Sequence, residues 1–215
     1  MELNKYIEHT LLKQDAAGAD FEKLFREARE NKFFGVCVNP AYVKRAKDAL
    51  QGTDVKIVTV VGFPLGANKT EIKAAETAEA IKDGADEIDM VINVTALKDK
   101  DYDYIVNEVA ALKKVCGAHN LKVIIETDLL SKDEIVKACE LCVKGGADFV
   151  KTSTGFVKNG VGAKVEDVKL MYETVSPHGL RVKASGGIKT KDAAVALVEA
   201  GAARLGTSSG VQIVA

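Results

Sequence analysis

Short apolar runs alternate with longer amphipathic stretches along the whole chain. Eight of these runs are rich in Val and Ile and show little polar alternation, which is typical of strands buried on both faces of a parallel sheet. The predicted strands cover residues 7–12, 35–39, 56–63, 87–93, 121–127, 149–155, 180–186 and 203–209.

Seven amphipathic stretches between these runs predict helices. Pro40 suits a first helical turn, and the pair Ser131 and Glu134 is typical of a capping box. Gly84 and Gly145 are placed to end helices. The predicted helices cover residues 19–31, 40–51, 69–83, 102–116, 131–144, 164–174 and 190–200.

A weak internal repeat supports this alternation. Residues 84–89 (GADEID), 146–151 (GADFVK) and 201–206 (GAARLG) each resemble a helix end, a tight turn and a strand entry. Repeated βα units of this kind predict an α/β fold, a (β/α)₈ TIM barrel. No linker-like stretch divides the chain, so we expect residues 1–215 to form a single domain. The alternative is an open doubly wound sheet, but no G-x-G-x-x-G motif follows the first strands.

Composition argues against several kinds of partner. The chain is 28% charged with a formal net charge of −1, and no block of Lys and Arg predicts nucleic-acid binding. The N-terminus lacks a signal-peptide pattern, and the longest uncharged run, residues 57–68, is too short to span a bilayer. The C-x-x-C pair Cys139 and Cys142 lies in a predicted helix, where the two residues simply share one face. A zinc site would need a second such pair, which the sequence lacks. We therefore expect a reduced, cytoplasmic protein that binds no metal and no cofactor.

Among the ionisable residues inside predicted strands, where burial makes a charge costly, three stand out: Asp89, Lys151 and Lys183. Active sites of (β/α)₈ barrels lie at the carboxyl ends of the strands. Asp89 and Lys151 occupy the same position of the repeat, five residues after its first glycine. We therefore expect these two side chains to lie at similar depth on two different strands.

A lysine in an apolar strand with a second lysine nearby predicts Schiff-base chemistry. The attacking amine must be unprotonated, whereas free lysine is almost wholly ammonium at neutral pH. At roughly 6 Å, a second cation would lower the pKa of Lys151 by about 2 units, and burial acts in the same direction. Asp89 would then relay protons. The alternative is that each lysine pairs with a carboxylate and only stabilises the barrel.

Two glycine- and serine-rich segments predict a phosphate site. They follow the seventh and eighth predicted strands, where many barrels bind phosphate, and glycines let backbone N–H groups approach an anion. The alternative is that Gly-Gly forms only a turn. The residues concerned are Ser185, Gly186, Gly187, Gly206, Ser208 and Ser209.

Over nearly its whole length the sequence resembles the deoxyribose-phosphate aldolases, a class I aldolase family. The most specific motifs are F-V-K-T-S-T-G at 149–155 and V-K-A-S-G-G-I at 182–188, in this order. H-T-L-L at 9–12, V-G-F-P-L-G at 61–66 and E-I-D-M-V-I-N at 87–93 extend the similarity. The resemblance implies reversible cleavage of 2-deoxy-D-ribose 5-phosphate to D-glyceraldehyde 3-phosphate and acetaldehyde.

The resemblance also implies roles for individual residues. Lys151 matches the Schiff-base lysine, Lys183 the neighbour that lowers its pKa and exchanges protons, and Asp89 the proton-relay carboxylate. Thr154 and Gly155 match residues near the substrate phosphate.

The resemblance implies a partner and a reactive thiol, and the chain departs from some relatives at the position after T-S-T-G. The family often forms homodimers. Cys37 matches a pocket-lining position where a thiol would react with an unsaturated aldehyde. Some relatives carry a phosphate-contacting lysine directly after T-S-T-G, where this chain has Phe156, and the next lysine is Lys158. Two other functions stay open: a transaldolase-like phosphosugar aldolase, and a non-catalytic barrel that binds a phosphosugar.

Overall fold

Eight parallel strands close into a barrel in sequential order, and β8 pairs with β1. The computed structural model describes residues 1–215. The predicted TIM barrel is therefore confirmed, and the doubly wound alternative is wrong. The strands are β1 Ile7–Leu11, β2 Gly35–Val38, β3 Lys56–Val61, β4 Glu87–Val91, β5 Asn120–Ile124, β6 Phe149–Lys151, β7 Arg181–Ser185 and β8 Ala202–Thr207.

Nine α-helices surround the strands, and all seven predicted ones are present. None of the nine has the length and apolarity needed to cross a bilayer. The helices are α1 Gly18–Glu30, α2 Val43–Ala49, α3 Thr70–Lys82, α4 Val94–Lys98, α5 Tyr102–Cys116, α6 Lys132–Lys144, α7 Val165–Val175, α8 Lys191–Glu199 and α9 Gly210–Val214.

The sequence pattern misses α4 and α9 because each has only 5 residues, too few for a 3.6-residue period to stand out. A local signal for α4 exists, since the Asn93 side chain accepts a hydrogen bond from Ala96 N at 3.2 Å, as an N-cap does.

The sixth strand is shorter than its apolar run predicts. β6 ends at Lys151. The next residue, Thr152, contacts β7 through a hydrogen bond from its Oγ1 to Ser185 O at 3.0 Å. Gly155 has a φ of +80°, a left-handed conformation that favours glycine, and its would-be Cβ lies 3.9 Å from Gly186 Cα. The T-S-T-G segment is therefore a loop at the carboxyl end of β6, where it faces the loop after β7.

The helices cover the outside of the barrel with apolar side chains. Phe21, Leu24 and Phe25 of α1 and Val109 and Leu112 of α5 are all buried. Burial of such a side chain contributes roughly 2 kcal/mol each. The apolar core thus lies between the helices and the strands, which leaves the inside of the barrel free to hold polar groups.

The register of the strands sorts the inward-facing side chains into layers. Asp89 of β4 pairs with Lys122 of β5, which pairs with Phe149 of β6. The tilt of the strands brings the residue two positions further along β6, Lys151, to the depth of Asp89. The same offset gives one layer of Cys37, Asp89, Lys151 and Gly206, and below it a layer of Glu8, Val58, Lys122 and Lys183.

The loop after β6 packs backbone against backbone on the loop after β7. Gly162 has a φ of +81°, and a Cβ there would lie 2.4 Å from the carbonyl of Gly186. Ala163 N donates to Gly186 O at 3.1 Å. Asp128 fixes the same loop because its carboxylate accepts from Gly162 N at 2.8 Å.

We predict that Gly162→Ala destabilises the protein more than Gly179→Ala. Gly179 has a nearly equal φ of +82° but no atom within 4 Å of its would-be Cβ, so it is the matched control. Gly179→Ala should cost about 1 kcal/mol of unfolding free energy, and the clash at Gly162 should add about 2 kcal/mol. Urea unfolding measures both values; equal losses would contradict the close packing of the two loops.

Candidate active site

Lys151 lies at the last position of β6, where its side chain reaches the carboxyl end of the barrel interior. The residue is 3% exposed, and its Nζ lies 2.7 Å from Asp89 Oδ2. The expectation of similar depth is met, since both residues belong to one layer. Desolvation disfavours the ammonium form of a lysine in such a position.

Lys183 approaches the same carboxylate oxygen from the layer below. Its Nζ donates to Asp89 Oδ2 at 2.6 Å and also contacts Glu8 Oε2. Since Lys151 and Lys183 share one oxygen, their amino nitrogens lie within roughly 5 Å of each other. At that separation two like charges repel by about 3 kcal/mol at an effective dielectric near 20.

Lys122 of β5 is a third lysine of this cluster, which the sequence pattern did not single out. Its Nζ lies 2.8 Å from Asp89 Oδ1, 2.6 Å from Glu87 Oε2 and 3.4 Å from Glu8 Oε1. Lys122 and Glu8 are 0% exposed. All three missed residues, Glu8, Glu87 and Lys122, fall inside predicted strands, so the signal that found Lys151 was present for them too.

The cluster moves the pKa of each lysine differently. Burial lowers the pKa of Lys151, and the charge of Lys183 lowers it further, while Asp89 acts against both. Burial is the larger cause of this lowered pKa, ahead of the second lysine that the sequence pattern indicates. Burial also disfavours the charge on Lys183, but Asp89 and Glu8 together raise its pKa above the usual value. Lys151 is therefore the lysine that most easily becomes a neutral amine.

Asp89 stays ionised despite complete burial. Burial alone would raise the pKa of its carboxyl group, but Lys122, Lys151 and Lys183 together hold that pKa well below the usual value. A carboxylate held in this way accepts hydrogen bonds at both oxygens and orients the Lys151 amine.

A cavity of about 230 Å³ opens above Lys151 at the carboxyl end of the barrel. All eight residues expected near phosphate line it, and so do two lysines that the sequence pattern does not indicate, Lys13 and Lys189. The expected residues are Thr154, Gly155, Ser185, Gly186, Gly187, Gly206, Ser208 and Ser209.

Cys37 does not line this cavity, contrary to expectation. It is 0% exposed and lies in the layer of Asp89 and Lys151. Burial raises the pKa of its thiol to about 11, so the reactive thiolate is scarce at neutral pH. Phe156 lines the cavity at the position after T-S-T-G, whereas Lys158 does not.

Glu126 holds the T-S-T-G loop in place. It follows β5 in a left-handed conformation with a φ of +62° and is 3% exposed. Thr154 donates to its carboxylate from the backbone N at 3.1 Å and from Oγ1. Such strain at a non-glycine residue is typical of functional sites. No group of three or more His, Cys, Asp or Glu side chains is arranged to hold a metal ion.

The fold and this site are those of an aldolase barrel. Residues 4–215 match the model of the DeoC/LacD family aldolases, and the chain belongs to that family. It is 56% identical over 214 residues to the deoxyribose-phosphate aldolase of Brevibacillus brevis, covering 100% of this chain and 96% of that protein.

Solved structures agree with this assignment. A putative deoxyribose-phosphate aldolase from Coccidioides immitis superposes with a TM-score of 0.96 at 44% identity, covering 99% of this chain and 84% of that one. The deoxyribose phosphate aldolase of Aeropyrum pernix, described as tetrameric, superposes with a TM-score of 0.88 at 32% identity, covering 99% of this chain and 89% of that one.

Proposed function

We propose that this aldolase reversibly cleaves 2-deoxy-D-ribose 5-phosphate to D-glyceraldehyde 3-phosphate and acetaldehyde through a Schiff base on Lys151. The observation that carries the proposal is the position of the Lys151 amine. It is buried, bound to Asp89 and located at the floor of a cavity whose lining is rich in glycine, serine and lysine. The relatives named deoxyribose-phosphate aldolase support the choice of substrate.

In the first step the neutral Lys151 Nζ attacks C1 of the open-chain sugar, and loss of water gives an iminium ion. The iminium then accepts the electron pair of the C2–C3 bond, while the C3 hydroxyl loses its proton and becomes the aldehyde of glyceraldehyde 3-phosphate. An enamine of acetaldehyde remains on Lys151. Protonation at C2 and hydrolysis of the iminium release acetaldehyde and regenerate the amine. The iminium serves as the electron sink, a role that a Lewis-acid metal fills in other enzymes.

Asp89 and Lys183 assist the proton transfers of this sequence. The lysines of the cluster keep Asp89 as a carboxylate, and Asp89 and Glu8 keep Lys183 as an ammonium ion. Neither group readily changes its charge. Each therefore takes part in proton transfer only transiently, through water in the cavity, and returns at once to its resting charge state. Lys183 also disfavours the ammonium form of Lys151 by repulsion.

The glycine- and serine-rich end of the cavity binds the 5-phosphate. Gly186 and Gly187 have φ values of +87° and +73°, conformations in which glycine leaves the backbone accessible to an anion. Thr154, Gly155, Ser185, Gly206, Ser208 and Ser209 supply further polar groups. Lys13 and Lys189 add positive charge to the cavity lining. They compensate for Phe156, which stands where some relatives carry a lysine that contacts the phosphate.

Trapping with borohydride tests the proposed mechanism. Reduction in the presence of acetaldehyde should add a two-carbon group to Lys151, detectable by peptide mass spectrometry. Lys151→Ala should abolish this adduct and lower the rate of sugar cleavage by several orders of magnitude, since no other buried amine reaches the cavity. An adduct on a different lysine, or none at all, would show that the mechanism is wrong.

Two assays separate the alternatives. A donor screen distinguishes a transaldolase-like enzyme, which would prefer a longer donor than acetaldehyde. A coupled assay for glyceraldehyde 3-phosphate distinguishes a barrel that binds the phosphosugar without cleaving it.

We predict that the double variant Lys13→Met/Lys189→Met weakens binding of the phosphorylated substrate. Loss of two cations near the phosphate should raise KM for deoxyribose 5-phosphate by about tenfold or more while kcat changes little. Cleavage of unphosphorylated 2-deoxyribose should be unaffected. Lys158→Met is the matched control because Lys158 does not line the cavity. Equal loss of activity on both sugars would contradict a phosphate role for these lysines.

We also propose that the protein acts in the cytoplasm as a homodimer. All four cysteines are free and buried thiols, as in proteins of reducing compartments. The relative from Aeropyrum pernix is described as tetrameric, which supports self-association. Sedimentation equilibrium should give the mass of a dimer, and the mass of a monomer or a tetramer would contradict the proposed state.

A further inference from the structure

Three carboxylates and three lysines share the inside of the barrel below the cavity floor. Buried charges are stable only when they are paired, so each lysine depends on the carboxylates that the other two lysines leave to it. The groups are Glu8, Glu87, Asp89, Lys122, Lys151 and Lys183.

Lys122 contacts all three carboxylates of this cluster. Its Nζ donates a hydrogen bond to Asp89 Oδ1, while Lys151 and Lys183 both donate to Asp89 Oδ2. Lys122 also contacts Glu87 and Glu8. It therefore competes with Lys151 for the carboxylates that would stabilise an ammonium ion.

The remaining strands bring no further carboxylate within salt-bridge distance of the three lysines. On β2, burial keeps the Cys37 thiol protonated by raising its pKa. β3 contributes Val58 and Val60. Beyond β5, Glu126 accepts hydrogen bonds from Thr154 rather than from a lysine of the cluster, and burial raises its pKa. Arg204 of β8 is half-buried and makes no salt bridge to Glu8 or Glu87.

We propose that Lys122 is a positioning residue that keeps the Lys151 amine free of its proton by pairing with Asp89, Glu87 and Glu8. The inference rests on the proposed function, because it assigns a task to Lys122 in Schiff-base formation on Lys151. Lys122 does not line the cavity and touches no reacting atom; it acts through the charge of the cluster.

The variant Lys122→Met tests this inference. It leaves three carboxylates with only Lys151 and Lys183 as buried lysine partners, so the ammonium form of Lys151 is stabilised. The pKa of Lys151 should then rise. Reductive trapping of acetaldehyde on Lys151 should shift to higher pH by about one to two units, with a loss of about 10- to 100-fold at neutral pH that is recovered at alkaline pH.

Three variants serve as controls. Lys122→Arg keeps the positive charge and should leave the pH profile unshifted. The double variant Lys122→Met/Glu87→Gln removes one group of each sign and should return the profile toward that of the wild type. Lys169→Met removes a lysine on the protein surface and should shift nothing.

The results distinguish a failure of the Lys122 inference from a failure of the proposed function. A loss of trapping by Lys122→Met that is equal at every pH, or a double variant as shifted as the single one, would overturn the role of Lys122. If the single variant does not fold, the double variant decides: an unshifted profile supports the inference and an upward shift refutes it. If the wild type forms no adduct on Lys151, the proposed function itself fails. If it forms the adduct and only the pH shift is missing, the function stands and the inference falls.

Discussion

The cost of burying charge inside a barrel is the constraint on which the rest of the site depends. Asp89 is 0% exposed and is stable as an anion only because Lys122, Lys151 and Lys183 surround it. Removing one partner from a buried ion pair leaves an uncompensated charge, which typically costs about 3–5 kcal/mol. The same cost determines which lysine gives up its proton: Lys122 and Lys183 each contact two or more carboxylates, and Lys151 contacts one.

The barrel geometry makes this arrangement possible. Alternate strands contribute to one layer, so Asp89 of β4 and Lys151 of β6 meet at equal depth although another strand lies between them. The helices keep the apolar core outside the strands. The loops after β6 and β7 then form the cavity above the charged layers, and the contact of Gly162 with Gly186 and the Glu126–Thr154 hydrogen bonds fix these loops. A buried amine and a cavity lined with glycine and serine thus result from one architecture.

Much of the fold could be predicted from the sequence because buried parallel strands leave continuous apolar runs. A charge inside such a run is conspicuous, which is why Asp89, Lys151 and Lys183 could be found. The same criterion also applies to Glu8 and Lys122, but only closure of the barrel shows that they meet at Asp89. The depth of Cys37 depends on strand tilt, which no local pattern records. The helices α4 and α9 are too short for their period to be visible.

Lys151 is the lysine of the buried cluster that most readily becomes neutral. A ¹³C NMR titration of the lysine ε-carbons, with the Lys151 signal assigned by its loss in Lys151→Arg, measures this directly. We expect Lys151 to titrate at lower pH than the exposed lysines, since burial and Lys183 lower its pKa, while Lys183 stays charged to higher pH than they do. A Lys151 signal that titrates together with the surface lysines, or above them, would contradict the account.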